Sequence, residues 1–256
     1  MPANNVSRTY RTIGFLIRRV VLAFTKPVWT GVENLPKEGG FIVASNHVTE
    51  ADALTLSHFL YDNGFPPRIM AKAALFRTPV VKHIMKATHM IPVERESARA
   101  ADSLGVAARE LAAGACVAIY PEGTLTRDPD MWPMTARTGV ARLALRTEAP
   151  VLPLAQWGMT ALWGRYSRVP HILGRRKIVY VQCGPAVDLS DLYGRADDKD
   201  ALLEATDRIM DAITKEVEAL RGEKAPAKRF DLREHPESVV KKSKYPTPAK
   251  NKEPEA

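Results

Sequence analysis

Residues 41–62 read FIVASNHVTEADALTLSHFLYD, which is a short apolar run, a polar turn and then a helical pattern. The apolar run, Phe41–Ser45, predicts a buried strand, because short apolar runs bounded by polar residues are typical of buried strands. The helix is predicted over 51–62. The turn between them holds a histidine and an aspartate, His47 and Asp52, at the strand end where α/β proteins usually bind their ligands.

The same alternation of strands and helices continues along the chain. Further strands are predicted at 68–71, 90–93, 115–120, 151–156 and 177–182, and further helices at 75–88, 98–113, 135–147 and 199–220. Strands that alternate with helices form a mainly parallel sheet with helices on both faces. We therefore predict an α/β fold with a largely parallel, mixed sheet flanked by helices.

Composition narrows the class of protein. Apolar residues make up 45% of the 256 residues, which excludes wholesale disorder. The two cysteines, Cys116 and Cys183, lie in predicted strands and have no CxxC partner, which indicates reduced, buried thiols. The six histidines are scattered, so we predict no metal ion.

The net charge of +8 lies at the two ends of the chain. Residues 1–37 carry six Lys/Arg and one acid, and residues 222–256 carry nine Lys/Arg and six acids, so residues 38–221 are balanced. A nucleic-acid-binding protein more often carries its positive charge on the folded surface, so we predict no nucleic acid partner. Basic ends on a neutral body suit an anionic membrane surface.

A basic, amphipathic helix is predicted before Pro27, which should end it. Its cations fall within an arc of roughly 100°, and most of its apolar residues lie on the other side. These cations are Arg8, Arg11, Arg18, Arg19 and Lys26. The helix is too short and too charged to span a bilayer, so we interpret it as an interfacial helix. The alternative is that its apolar face packs on the domain.

Three segments follow from these patterns. Residues 1–27 are predicted to be a membrane-associating segment, and residues 28–221 the main domain. Residues 222–256 are rich in Lys, Pro and Glu and poor in apolar residues, so they are predicted to be a mobile basic tail.

The turn that holds His47 and Asp52 has two interpretations. A strand-to-helix turn can fold the aspartate back onto the imidazole, where it would fix the tautomer and leave the other nitrogen as a general base. Alternatively, the turn is only a helix N-terminus, in which Asn46 or Thr49 is the cap and Asp52 is favoured by the helix dipole.

A second group, Tyr120–Thr124, again follows a predicted strand. Glycine allows close approach of a ligand, and the amides and the threonine hydroxyl can hold an oxyanion or a polyol. The alternative is a plain turn.

A third group places Lys72 and Arg95 just past two predicted strand ends, where a cation can bind phosphate or is merely solvated. A fourth, Val151–Leu154, is preceded by Arg137 and contains a proline, which removes a ladder donor. It is either an apolar wall near the site or an edge strand.

Together, the order and spacing of these groups strongly resemble the lysophospholipid/glycerophosphate acyltransferase family, which includes the 1-acylglycerol-3-phosphate acyltransferases. The family's blocks are Asn-His-x4-Asp, a glycine-led block ending in arginine, Pro-Glu-Gly-Thr and a proline-containing apolar strand. The matching residues are Asn46-His47 with Asp52, His89 with Arg95, Pro121–Thr124 and Val151–Leu154. The resemblance spans roughly residues 28–185.

The resemblance implies an acyltransferase that moves a fatty acyl group from acyl-CoA or acyl-carrier protein to a hydroxyl of a lysophospholipid, foremost 1-acylglycerol-3-phosphate. Another lyso-lipid, glycerol-3-phosphate, or lipid binding without catalysis are the alternatives. Apart from this acyl donor no cofactor is expected. The expected place is the cytoplasmic face of the cell membrane, peripheral or monotopic.

The resemblance also implies roles for individual residues. His47 would be the base and Asp52 its partner. The substrate-binding residues would be Lys72 and Arg95 at the acceptor's phosphate, Glu122, Gly123 and Thr124 at its glycerol part, Arg137 nearby, and Val151–Leu154 on the acyl-donor side.

Three positions depart from the family pattern. Leu125 stands where the family usually has arginine, and Arg127 comes two residues later. His89 replaces a glycine, and Glu50 replaces an aromatic or apolar residue. Because of the departures at Leu125 and His89, the resemblance does not identify the acceptor's head group.

Overall fold

The computed structural model describes residues 6–94, 100–167 and 169–235. The strands within these residues are β1 (Thr25–Thr30), β2 (Phe41–Ser45), β3 (Arg68–Lys72), β4 (Ile91–Val93), β5 (Cys116–Ile119), β6 (Val151–Trp157) and β7 (Lys177–Cys183). The α-helices are α1 (Arg8–Phe24), α2 (Asp52–Asp62), α3 (Pro79–Ala87), α4 (Ala100–Ala112), α5 (Gly139–Thr147) and α6 (Lys199–Arg221).

The seven strands form one sheet in the order β1-β7-β6-β2-β5-β3-β4. All neighbouring strands are parallel except β6 and β7, which are antiparallel. The prediction of a largely parallel, mixed sheet flanked by helices is therefore confirmed. Strand β2 lies at the centre, and all five of its residues are buried.

The core covers both faces of the sheet because side chains alternate along each strand. Phe41 and Val43 of β2 belong to the cluster that includes α2 residues such as Phe59. Ile42 and Ala44 belong to the opposite cluster, which includes residues of α4, α5 and α6. Strand β2, with the polar turn that follows it, is thus held firmly from both sides.

The sequence pattern does not predict strand β1, because Pro27 indicates only the end of a helix. Helix α1 ends at Phe24, and the chain continues directly into β1, which pairs with Lys177–Cys183. Proline has no N–H to give to a ladder, so an edge strand is where it fits. The Thr25 hydroxyl donates to the Val21 carbonyl at 2.7 Å and closes the last turn of the helix.

Strand β6 is not an edge strand, so that alternative for Val151–Leu154 was wrong. It lies between β2 and β7, and Pro153 stands in register with Ala44. The Pro153 carbonyl accepts from the Gly184 N–H at 2.8 Å.

Helix α1 packs on the domain through one arc of its surface, as the alternative interpretation predicted, and its interfacial role stays a prediction. Tyr10 and Val21 are buried, and the Tyr10 ring stacks on Tyr61 of α2 with centroids 6.1 Å apart. Leu16 and Val20, in contrast, are exposed. One apolar arc therefore docks on the domain and another faces outward. Within the described residues, no helix has the length and apolar content needed to cross a membrane.

The packed part of the chain extends beyond residue 221, where the tail was predicted to begin. Gly222 ends α6 in the left-handed conformation, with φ of 65°, and the chain then turns back onto the domain. The Thr135 N–H donates to the Phe230 carbonyl at 2.9 Å, and Asp231 is buried. Composition does not predict these contacts, because few apolar side chains take part in them. The rest of the predicted tail, 236–256, lies outside the described residues.

Candidate active site

The candidate site lies at the carboxyl edge of the central strands. His47 follows β2 and Tyr120 follows β5, and the two parallel strands are neighbours. The rings of these two residues are stacked, with centroids 3.9 Å apart and planes 16° apart. This contact fixes the plane of the imidazole, and it was not foreseen from the sequence.

Asp52 folds back onto the histidine, as the strand-to-helix interpretation requires. The His47 Nδ1 lies 3.3 Å from the Asp52 Oδ2. The same oxygen accepts from the backbone N–H groups of Val48 and Thr49, at 2.6 and 2.8 Å. Three contacts therefore hold one carboxylate oxygen against the turn.

The capping alternative for this turn was wrong in its main part. Helix α2 has Ala51 as its N-cap, without a side-chain capping bond. The Thr49 hydroxyl accepts from the Ala51 N–H at 2.9 Å, just before the helix begins. Asn46 uses its amide group elsewhere.

Asn46 ties the turn to β6. Its Oδ1 accepts from the Gln156 N–H at 2.8 Å, and its Nδ2 donates to the Gln156 carbonyl at 3.0 Å. The Gln156 side chain in turn donates to the Ser45 hydroxyl at 3.0 Å. Asn46 thus continues the sheet pairing with a side chain. A buried glutamine in an otherwise apolar strand was the sequence signal for this clamp.

The imidazole of His47 is accessible, because its side chain is 17% exposed while that of Asp52 is 3% exposed. Since Nδ1 faces the carboxylate, Nε2 is the nitrogen left for a substrate. If Nδ1 carries the proton, Nε2 has a free lone pair and can accept a proton. The geometry is that of a general base oriented by a carboxylate.

Glu122 holds the backbone of His47 through a hydrogen bond. One carboxyl oxygen accepts from the His47 N–H and the other from the Met134 N–H, both at 3.2 Å. Burial raises the pKa of Glu122 to about 8, against the lowering effect of these two bonds. The side chain therefore anchors backbone, and its predicted contact with an acceptor stays a prediction.

Gly123 and Arg137 lie together. Gly123 has φ of 73°, and a Cβ at this position would lie 3.5 Å from the Arg137 side chain. The Arg137 N–H donates to the Pro121 carbonyl at 3.0 Å. Thr124 is partly exposed at the same turn. These three predicted residues share one small region beside His47.

The departures from the family pattern have clear positions. Leu125 is buried, and Arg127 lies with its guanidinium 4.7 Å from the Tyr166 ring centroid. The N–H of Thr126, between them, donates to the His47 carbonyl at 2.7 Å. His89 has φ of 54°, a left-handed conformation that favours glycine, so the histidine occupies a glycine-type turn.

Of the two predicted phosphate ligands, the structure describes only Lys72. Lys72 ends β3 and is exposed at the same edge of the sheet as His47, two strands away from β2. Arg95 lies outside the described residues. In the part of the chain that the structure describes, no three His, Cys, Asp or Glu residues are grouped to hold a metal ion.

The fold and this site define a class of protein, namely α/β proteins in which a histidine contacts an aspartate at the carboxyl edge of the sheet. The comparison with known proteins gives the family. The chain belongs to the acyltransferase family, whose sequence model, described as "Acyltransferase", matches residues 26–157.

Individual relatives agree with this assignment. The 1-acyl-sn-glycerol-3-phosphate acyltransferase of Borreliella burgdorferi is 30% identical over 202 residues, which cover 78% of this chain and 75% of that protein. The Bacillus subtilis protein of the same name is 30% identical over 126 residues, 49% of this chain and 60% of that one.

A solved structure shares the fold. The crystal structure of the 1-acyl-sn-glycerophosphate (LPA) acyltransferase PlsC from Thermotoga maritima matches with a TM-score of 0.60 and 22% identity, over 85% of this chain and 81% of that chain. The family resemblance predicted from four short sequence blocks is confirmed.

Proposed function

We propose that this chain transfers a fatty acyl group from acyl-CoA or acyl-carrier protein to the free hydroxyl of 1-acylglycerol-3-phosphate, a step of phospholipid synthesis. The observation that carries the proposal is the His47–Asp52 contact of 3.3 Å, made by an imidazole that is 17% exposed. The names of the relatives supply the acceptor.

The chemistry needs only these two side chains as acid–base groups. Nε2 of His47 takes the proton of the acceptor hydroxyl while its oxygen attacks the thioester carbonyl and forms a tetrahedral intermediate. The intermediate collapses to an ester and a thiolate, and the imidazolium gives its proton to the thiolate, which leaves as the free thiol. The Asp52 carboxylate stabilises the imidazolium.

Direct transfer is preferred to an acyl-enzyme. Burial raises the pKa of Cys183 to about 12 and that of Cys116 further still, so neither thiol is activated as a nucleophile. The sequence contains no Gly-x-Ser-x-Gly elbow. We therefore propose that donor and acceptor are bound together when the acyl group moves.

The acceptor's head group is proposed to lie across the turn after β5. Gly123 and Thr124 would face its glycerol part, and Arg137 its phosphate. Lys72 and Arg95 are proposed as further phosphate ligands, since single cations at strand ends suit that anion. No further cofactor is proposed.

Helix α1 is proposed to hold the enzyme on the cytoplasmic face of the membrane, as a peripheral or monotopic protein. Leu16 and Val20 are exposed, and the exposed cation Arg19 adjoins them on the helix surface. An apolar arc with cations on one side suits an anionic bilayer. Replacing Leu16 and Val20 by serine is expected to lower binding to anionic vesicles, and unchanged binding would refute this role of α1.

The test is an acceptor panel in which thiol release from one acyl-CoA is followed and the products are identified by mass. Lysophosphatidate should give phosphatidate at the highest kcat/KM, ahead of glycerol-3-phosphate and lyso-lipids with larger head groups. His47→Ala is the control that separates enzyme-dependent release from background. No turnover with any acceptor would favour the alternative, a protein that only binds lipid.

A further inference from the structure

The balanced charge of the main domain conceals a strongly basic block. Residues 149–187 contain no Asp or Glu, although Glu148 and Asp188 stand directly on either side. The five cations of this block are Arg165, Arg168, Arg175, Arg176 and Lys177. They lie between β6 and the beginning of β7, on a connection that the proposed acyl-transfer chemistry does not use.

This connection also exposes large apolar side chains. Residues 171–176 are all exposed. Val169, Ile172 and Leu173 are 68%, 50% and 85% exposed. We call residues 169–177 the basic-apolar segment. Clustered exposed apolar side chains on a soluble surface usually mark a contact surface, and the adjoining cations specify an anionic one.

The segment lies beside the end of α1. Arg176 donates to the Leu22 carbonyl at 3.3 Å. The C-terminal end of α1 and the basic-apolar segment are therefore neighbours, although they are far apart in sequence.

The chain just before the segment reaches the active site. Arg165 donates to the carbonyls of Thr126 and Asp128, at 3.1 and 2.7 Å. Thr126 is itself bonded to the backbone of His47. One connection thus joins the surface next to α1 to the loop that holds the base.

We propose that the basic-apolar segment is a second membrane contact, in which Ile172 and Leu173 enter the boundary of an anionic bilayer. The lipid phosphates next to these two side chains are contacted by the cations Arg175, Arg176 and Lys177. The bilayer is preferred to a protein partner because a block without acids, placed beside a basic amphipathic helix, matches a uniformly anionic surface. The inference rests on the proposed function, since a lipid acceptor gives the enzyme a reason to sit on a membrane.

Sedimentation with vesicles of 30% phosphatidylglycerol in phosphatidylcholine tests the segment. The double variant Ile172→Ser, Leu173→Ser should lower the partition coefficient about tenfold, because two exposed apolar side chains are lost. The matched control is Leu203→Ser, which removes a 46% exposed leucine from α6 and should bind like the unchanged protein. Circular dichroism checks that each variant is folded.

A charge variant gives an independent readout. Arg175→Gln should weaken binding to the anionic vesicles and leave the weak binding to pure phosphatidylcholine unchanged. Equal loss on both vesicles would contradict the assigned contact with lipid phosphates.

Three outcomes would overturn the proposal: wild-type-like vesicle binding by the double variant, no vesicle binding by the unchanged protein, or a dimer in solution that the double variant dissociates. The last would make the segment an interface between two copies. Thiol release with a short-chain acceptor, dispersed as monomers, is measured in parallel. Its presence shows that the proposed acyl transfer stands even where the membrane contact fails.

Discussion

Among the residues that the structure describes, two His–Asp pairs have the same contact distance but different surroundings. His47 Nδ1 lies 3.3 Å from Asp52 Oδ2, and His58 Nε2 lies 3.3 Å from Asp62 Oδ2. The first pair spans a strand-to-helix turn at the sheet edge. The second lies within α2, one helical turn apart.

The surroundings decide which pair can do chemistry. The His58 side chain is 2% exposed, against 17% for His47, and its ring meets Trp29 edge-on at 4.8 Å. Burial lowers the pKa of His58, and Asp62 opposes this only in part. Asp62 is also paired with Arg18 of α1 at 2.9 Å. This second pair is therefore part of the packing between α1 and α2, and an accessible second nitrogen distinguishes the first.

The largest expected difference between the pairs is in turnover. His47→Ala should lower kcat by about 10³-fold, because general-base catalysis is lost. His58→Ala should keep kcat within about threefold but lower the free energy of unfolding by roughly 1–3 kcal/mol, because buried packing is lost. Steady-state thiol release and chemical denaturation measure both. Comparable kcat losses in the two variants would contradict the assignment of catalysis to His47 and of packing to His58.

The two aspartates should differ in the same way, with the larger effect on kcat at Asp52 and the smaller at Asp62. Asp52→Asn should lower kcat by about 10²-fold or more, because an amide does not hold the imidazolium. Asp62→Asn should leave kcat nearly unchanged and weaken the contact between α1 and α2. The measurement is kcat at saturating acceptor, with the unfolding midpoint as control; a full-rate Asp52→Asn enzyme would contradict the assigned role.

Glu122 provides a smaller effect with a defined pH dependence. Its pKa is raised to about 8 in the fold, so the folded protein retains a proton that the unfolded chain releases at lower pH. The stability contributed by this group is therefore lost as the pH rises from about 4.5 to about 8. Glu122→Gln should remove that slope, although it loses a backbone bond. Denaturation at several pH values tests this, and a slope equal to that of the unchanged protein would refute it.

The smallest expected effect concerns the Tyr120 ring, which stacks on the His47 imidazole. Tyr120→Phe keeps the stacked ring and should reduce kcat by less than about threefold, whereas Tyr120→Leu should reduce it by roughly tenfold, because orientation of the base is loosened. The acceptor KM should change little in either variant. Equal kcat values would show that the stacking contact does not position His47.

Much of the sheet could be predicted because its buried strands carry their own signal. The apolar run at Phe41–Ser45 ends where β2 ends. Strand β1 could not be predicted in the same way, because its proline and polar residues suit an edge strand that exists only once β7 is beside it. The order of strands likewise depends on long-range pairing.

The site was predictable where its residues are neighbours in sequence. Asp52 is close enough to His47 for a single turn to join them, so spacing indicated their contact. Tyr120, which follows β5, and Gln156 of β6 are 73 and 109 positions after His47 in the sequence. Only the fold brings them to the turn. Net charge summed over the domain also concealed the local basic block.

The account's central claim is that His47 removes the proton from the acceptor hydroxyl. The most direct measurement compares the kcat of the unchanged enzyme and His47→Ala on lysophosphatidate and on an analogue with fluorine next to the accepting hydroxyl. Fluorine makes that hydroxyl more acidic, so the analogue needs a base less. The account predicts a smaller loss for His47→Ala on the analogue than on lysophosphatidate. The same loss on both acceptors would contradict it.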